Sequence, residues 1–364
     1  MRLYYSVFSL VICFALLSFF TSCKIEEESL EKVATEEVTS DIDSVTYWYK
    51  NHIYLIKKKN FTIHSALIIE KGTVIKFDPD SGRSISVVDS GLISAQGSSS
   101  YPIVFTSLYD DMHGGDNNLD GSLTTARTGD WDFIYLNNKF SCSFNNVYFL
   151  YGGGNAQSST LVIDSCNAEI KNCTFAHNKG GDLNEPLGAL NANNAKYLTK
   201  IDNNIFYDNE LPLTINTAIT IDNTNRFYNP MDTAQYNRFN IIVINTESPV
   251  SHFPQWKEKK VALVVSGNNL KINNSNQLLL GNYVTLKFSK GCLLWLQSGA
   301  SSILNFDGPG VQLTSIFDDK IKGDSNGDNG LTQPAEGDWN IFINSDEDAV
   351  NWRNIFYVKR NTGK

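Results

Sequence analysis

Charge is scarce in this chain. Asp, Glu, Lys and Arg make up 19% of 364 residues, below the roughly 25% of an ordinary soluble domain. Histidine is rarer still, and five of them leave little room for a His-rich metal enzyme. The six cysteines contain no CxxC pair, so a thiolate metal knuckle is excluded. Residues 45–364 hold 27 basic and 31 acidic side chains with no basic stripe, which argues against nucleic-acid binding. No run of twelve residues carries a 3.6-residue apolar period, and none beyond residue 22 is long and apolar enough to span a bilayer. What is present is apolar and aromatic material, 41% and 12% of the chain. That suffices for a sizeable core, in one large domain or two average ones.

The N-terminus reads as an address. Met1-Arg2 precedes an apolar run to Phe20 and then Thr21-Ser22-Cys23, the pattern of a secretory signal; a single-span anchor is the alternative. Cys after small residues looks like a bacterial lipobox, which implies lipidation of Cys23, a signal peptide over 1–22 and a membrane partner through the acyl chains. Residues 23–44 carry eight acids against Lys24 and Lys32, and the expectation is a solvated acidic tether. Lys followed by acids after the Cys also resembles the surface-export signal of Bacteroidetes lipoproteins, which implies an outer-membrane, surface-exposed location. Cys142, Cys166, Cys173 and Cys292 remain as buried small hydrophobes, with a Cys166–Cys173 pairing as the other possibility.

From Ile53 onward the apolar runs are short, β-branched and punctuated by Gly, Asn, Asp and Ser. Examples are Thr73-Val74-Ile75-Lys76-Phe77 and Pro102-Ile103-Val104-Phe105-Thr106. Such runs are strand-like, and their spacing allows a sandwich, a barrel or a solenoid. Asn146, Asn172 and Asn203 each stand three residues before an aromatic, at spacings of 26 and 31. That favours the solenoid: Asn tolerates a left-handed turn and can bond the Asn above and below it, while the aromatic faces inward. Asn178 and Asn209 mark a second repeated turn position.

This pattern resembles right-handed parallel β-helices of the pectate-lyase-like class, and especially Bacteroidetes β-helix-repeat lipoproteins, over roughly 60–358. The most specific piece is Leu67–Phe77 followed by Pro102–Ser107 and a loop ending in Gly129-Asp130-Trp131. The resemblance implies an all-β, right-handed parallel β-helix. An internal repeat divides the body into a first module over 45–260 and a second over 261–364, continuous or abutting.

A second copy of the loop is the strongest feature. Residues 106–131 match 314–339 without a gap at an offset of 208, with 13 of the 26 positions identical. Upstream, Leu67–Phe77 is similar to Leu278–Phe288. The loops are poor in apolar side chains, so burial does not order them, and structureless loops of this length are commonly functional or mobile. Asp116, Asn118 and Asp120, and their counterparts Asp324, Asn326 and Asp328, place oxygens at alternate positions. That spacing is similar to the first half of an EF-hand loop. Arg127 and Ala335 stand where the bidentate Glu belongs, so this is no EF-hand. With Asp110, Asp111 and Asp130, and Asp318, Asp319 and Asp338, completing the shells, Ca²⁺ is the expected cofactor. The alternative is an Asx-turn loop with solvated acids. Trp131 and Trp339 either staple the loop from beneath or offer a flat face to a sugar.

Function is less legible. A hydrolase needs two facing carboxylates; a lyase of this fold needs a basic residue, for which Arg127, Lys139, Lys179, Arg226 and Arg238 are candidates outside any motif. In the second copy Ala335 replaces Arg127 and Ile321 replaces His113, while the acids stay, which weighs against catalysis in the loops. The leading expectation is a non-catalytic cell-surface module binding a polysaccharide, surface glycan or other partner. A polysaccharide lyase or glycoside hydrolase, and a passive envelope scaffold, are the alternatives.

Overall fold

The computed structural model describes residues 33–79, 83–154, 159–343 and 352–362. Cys23 and the apolar leader lie outside them. The described chain contains no α-helix and is built of short strands in long parallel sheets, with ten, seven and six strands in the three largest. Strands visit these in rotation. Phe61–Ile63 lies in the ten-stranded sheet, Ala66–Glu70 in the six-stranded and Val74–Phe77 in the seven-stranded. Ile85–Asp89, Leu92–Gln96 and Ile103–Ser107 repeat the order one level on. Among the described strands the one antiparallel pairing joins Tyr228–Asn229 to Asp232–Tyr236. A sandwich or up-and-down barrel is thereby set aside, and the arrangement is compatible with a parallel β-helix.

Alternation within each strand explains the stack. Phe105, Phe149, Phe175 and Phe206 occupy matching registers of the seven-stranded sheet, and all are fully buried. Their rings stack at centroid separations of 5.5, 4.7 and 5.1 Å, and Phe227 extends the column at 5.4 Å. Phe149, Phe175 and Phe206 are the aromatics three residues after Asn146, Asn172 and Asn203, and the three asparagines do adopt left-handed φ of 51°, 53° and 58°.

Of these turn residues, Asn172 Nδ2 donates to Asn145 Oδ1 of the neighbouring level at 2.8 Å, but the longer amide ladder uses other asparagines. Asn178 Nδ2 donates to Asn209 Oδ1 at 3.0 Å, and Asn209 Nδ2 donates to Asn237 Oδ1 at 2.8 Å. Asn204 and Asn225 form a second pair at 3.1 Å. Each ladder amide also donates to a backbone carbonyl of a neighbouring level. Burying these amides is tolerable because every donor finds an acceptor.

The expected tether is shorter than the sequence implied. Ala34–Val38 pairs in parallel with His52–Ile56 at the end of the seven-stranded sheet, and Ile42 is buried with a bridge to Ile63. Val38 and Ile42 supply enough apolar surface to dock this acidic segment. At the other boundary, the ten-stranded sheet runs from Phe61–Ile63 to Gln312–Ser315 without a break at 260, and one core cluster spans Ile42 to Val358.

The duplicated module changes sheet. Val74–Phe77 and Ile103–Ser107 belong to the seven-stranded sheet, whereas their relatives Thr285–Phe288 and Gln312–Ser315 belong to the ten-stranded one. The two acidic loops therefore rise from two different sheets.

Candidate functional site

Each acidic loop is tied down by a lysine in the strand below it. Lys76 and Lys287 are buried among apolar neighbours. Lys76 Nζ donates to the carbonyls of Asp110 and Gly115 at 2.9 and 2.7 Å, and Lys287 Nζ to those of Asp318 and Gly323 at 3.0 and 2.8 Å. Burial pushes the Lys287 ammonium down to about 8 despite the nearby Asp318, Asp319 and Asp324. Sequence reasoning missed these clamps, although a lysine inside an apolar strand, kept in both copies, is a readable signal. Small apolar anchors help. Leu108 and Tyr109 pack with Ile53, Leu55 and Val74, and Ile316 and Phe317 with Phe239, Ile241 and Val243.

The twelve residues expected to form two metal shells, six in each loop, divide into two groups. Asp110 is spent on the loop base, accepting from Thr106 Oγ1 at 2.6 Å and Met112 N at 3.1 Å and pairing with His113 Nδ1 at 2.7 Å. Burial raises its pKa, but the His113 and Thr106 contacts outweigh that and hold the carboxyl below its usual range. Asp318 accepts from Thr314 at 2.7 Å. Asp130 accepts from Ser107 Oγ and Arg127 N at 2.6 and 2.9 Å, and Asp338 from Ser315 Oγ and Ala335 N at 2.7 and 2.9 Å. These four close the loops on their strands.

Asp111, Asp116, Asn118 and Asp120, with their counterparts, lie within the loops. Asp116 accepts from the N–H groups of Leu119 and Gly121 at 2.7 and 2.9 Å, and Asp324 from Gly327 and Asn329 at 2.7 and 2.8 Å. Asp120 takes Thr124 and Asp328 takes Thr332. This is the Asx-turn network that the alternative reading expected. Superposed on it is a second regularity. The Oδ1 atoms of Asp111 and Asn118, and those of Asp319 and Asn326, are buried without a hydrogen-bond partner. The same atoms are orphaned in both copies. Asn118 Nδ2 and Asn326 Nδ2 are each bonded to the following aspartate at 2.8 Å, so it is the carbonyl oxygen that is left over. In the second loop, oxygens of Asp319, Asp324 and Asp328 lie within 4.8 Å of one another. Burial, then the charge of Asp324, raises the Asp319 carboxyl above its ordinary range. A carboxylate oxygen that accepts one N–H keeps a lone pair, so these residues retain capacity to ligate a hard cation.

Trp131 and Trp339 are 0% exposed. They stack on Phe77 and Phe288 at 4.2 Å, and each indole donates to a backbone carbonyl, of Leu150 at 2.7 Å and Phe356 at 2.8 Å. Neither face is open to a sugar. The expectation that they bind carbohydrate is corrected to the staple role: each ring is held in the core two residues after a glycine with positive φ (86° at Gly129, 84° at Gly337) that ends the loop. The four described cysteines are buried and unpaired.

A polar trough lies elsewhere. A cavity of about 460 Å³ is lined by Asp164, Asn194, Asn216, Asn245, Tyr197 and His252, among others. The exposed Tyr197 ring stacks on His252 at 3.9 Å. Asn193, Asn245 and Glu247 are shared with a second cavity of about 380 Å³, which shares Asn184 and Glu185 with a third of about 510 Å³ holding Lys179, Asp182 and Glu210. Three cavities with common walls thus follow one another. Half-buried contacts hold the frame: Asn216 Nδ2 donates to Ala195 O at 2.7 Å, and Thr217 Oγ1 to Ser248 O at 3.0 Å. No motif announces Tyr197 or His252, which lie 55 residues apart and meet through the stacking of levels. Of the basic residues weighed at the sequence level, Lys179 reaches this trough, and Arg238 pairs with Glu210 on its wall. Comparison with protein-family models, curated proteins and solved structures gives no match.

Proposed function

We propose that the chain is a surface-displayed lipoprotein whose parallel sheets close into a right-handed β-helix, and that this helix binds an extended glycan along its flank without cleaving it. The lipid on Cys23, the tether, the outer-membrane location and the kinship to Bacteroidetes β-helix-repeat lipoproteins belong to this reading. The observation that carries it is the succession of three adjoining cavities. An extended polymer can lie across adjoining clefts, whereas a small ligand is mostly buried in one. The walls have the right chemistry: amides and carboxylates for hydroxyls, and a Tyr–His stack at one end as a platform for a pyranose face.

The acidic loops are proposed to hold Ca²⁺, one ion per loop, through Asp111, Asp116, Asn118 and Asp120, and through Asp319, Asp324, Asn326 and Asp328. The orphan Oδ1 atoms, repeated in both copies, support this. A divalent cation would satisfy them and relieve the mutual repulsion of the carboxylates, fixing loops that have little core of their own.

Cleavage stands as a second reading because Lys179 lines one cavity with Glu185 and Glu210. A glycan-array screen of the full chain, with product analysis on every hit, separates the two. The binding reading expects retention of intact glycan. New reducing ends or unsaturated uronates would establish cleavage instead, and no retained glycan would defeat both.

A further inference from the structure

Beside the trough lies a fourth cavity of about 460 Å³, lined by Tyr236, Arg238, Asn240, Lys260, Lys322 and Asp324, among others. Three cations from three separate segments meet there, in a chain whose net charge is −9. Their compensation is incomplete. Arg238 pairs with Glu210. Lys322 Nζ donates to the Lys259 carbonyl, a neutral partner. Lys260 donates to Asn223 and stands 3.7 Å from Glu258, whose buried carboxyl is pushed up to about 7 and so gives only part of a charge at neutral pH. Asp324 is the one acid on the lining, a single carboxylate against the three cations.

The duplication supplies an independent argument. Lys320 and Lys322 occupy positions held by Met112 and Gly114 in the first copy. The acids that organise the loop are common to both copies, so loop architecture does not require these lysines. They are particular to the copy that borders the cavity. Tyr236, 59% exposed on the hairpin arm Asp232–Tyr236, adds a ring face beside the charges.

We propose that this cavity is an anion subsite that takes a carboxylated or sulfated sugar unit, with Lys322 and Lys260 contacting the acidic group and Tyr236 the ring. Ammonium groups lining a concavity bind such anions by charge-assisted hydrogen bonds. The Arg238–Glu210 pair joins the subsite to the trough, so the proposal rests on the glycan reading above and assigns the polymer an acidic substituent.

Lysine acylation followed by mass spectrometry on the full chain tests it, with glucose, glucuronate and glucose 6-sulfate as probes. Glucuronate, glucose 6-sulfate or both should protect Lys322 and Lys260 from labelling, in a salt-sensitive way, while glucose leaves them unprotected. Protection by one acidic sugar alone identifies carboxylate or sulfate as the group recognised. Lys322→Gln, an exposed change, should weaken acidic-sugar binding about tenfold and leave neutral-oligosaccharide binding unchanged. Equal labelling with all three sugars would overturn the subsite. Failure of the trough would show separately, as absence of neutral-oligosaccharide binding in the wild-type chain, and would not alter the acylation result.

Discussion

Trp131 and Trp339 show how a residue's role is set by its neighbours. As letters, a tryptophan after an acidic loop suits a sugar platform or a staple equally well. The deciding facts are a parallel aromatic partner, a carbonyl for the indole N–H and a preceding glycine in the left-handed region. Replacing either by alanine should cost about 3–5 kcal/mol, as for other large buried aromatics, read from urea unfolding, with glycan affinity unchanged in the folded variant. Glu258 makes a second prediction at this scale. It is fully buried, Oε2 has no hydrogen-bond partner, and its carboxyl is raised from the ordinary 4.5 to about 7, chiefly by burial. The folded state thus binds a proton more tightly than the unfolded chain. Its contribution is fully present below pH 4.5 and is lost as pH rises to about 7, a change of roughly 3 kcal/mol. Glu258→Gln should flatten the fall in stability between pH 5 and 7. A slope equal to that of the wild type would show that another group is responsible.

At the scale of the element, the two loops were visible in the sequence because their acids and glycines repeat at a fixed offset. Their anchoring was only partly legible. Lys76 and Lys287 sit upstream of the matched segment, at an offset of 211 rather than 208, and a lysine in a strand ordinarily faces solvent. Nor does a linear repeat reveal that the copies emerge from different sheets, because that depends on how many strands complete a level in each half. The division of the acids was likewise hidden. Asp110 and Asp130 look like ligands in sequence, but a strand hydroxyl lies within reach of each. If the inner loop residues hold Ca²⁺, chelation should lower the melting temperature, and the double variant Asp116→Ala with Asp324→Ala should no longer respond. A melting curve unmoved by excess chelator would remove the ion from the account.

For the whole molecule, the period of short strands, the turn asparagines and the inward aromatics foretold a stack of parallel strands. Short-range pattern suffices there because each level repeats the same local solution. Even so, the amide ladder formed at Asn178, Asn209 and Asn237 rather than at Asn146, Asn172 and Asn203, since only the former are buried where a neighbouring level offers both an amide and a carbonyl. The trough was not legible at all. Tyr197, His252, Asn245 and Glu185 share no motif, and adjacency between levels, not along the chain, brings them together. A polymer-binding trough carries a quantitative signature that no single pocket shares. Titrating the full chain by calorimetry with a glycan-array hit trimmed to one, two, four and six sugar units should show affinity rising at each step, and Tyr197→Ala should weaken the longer ligands most. A single sugar binding as tightly as the hexasaccharide would contradict the account.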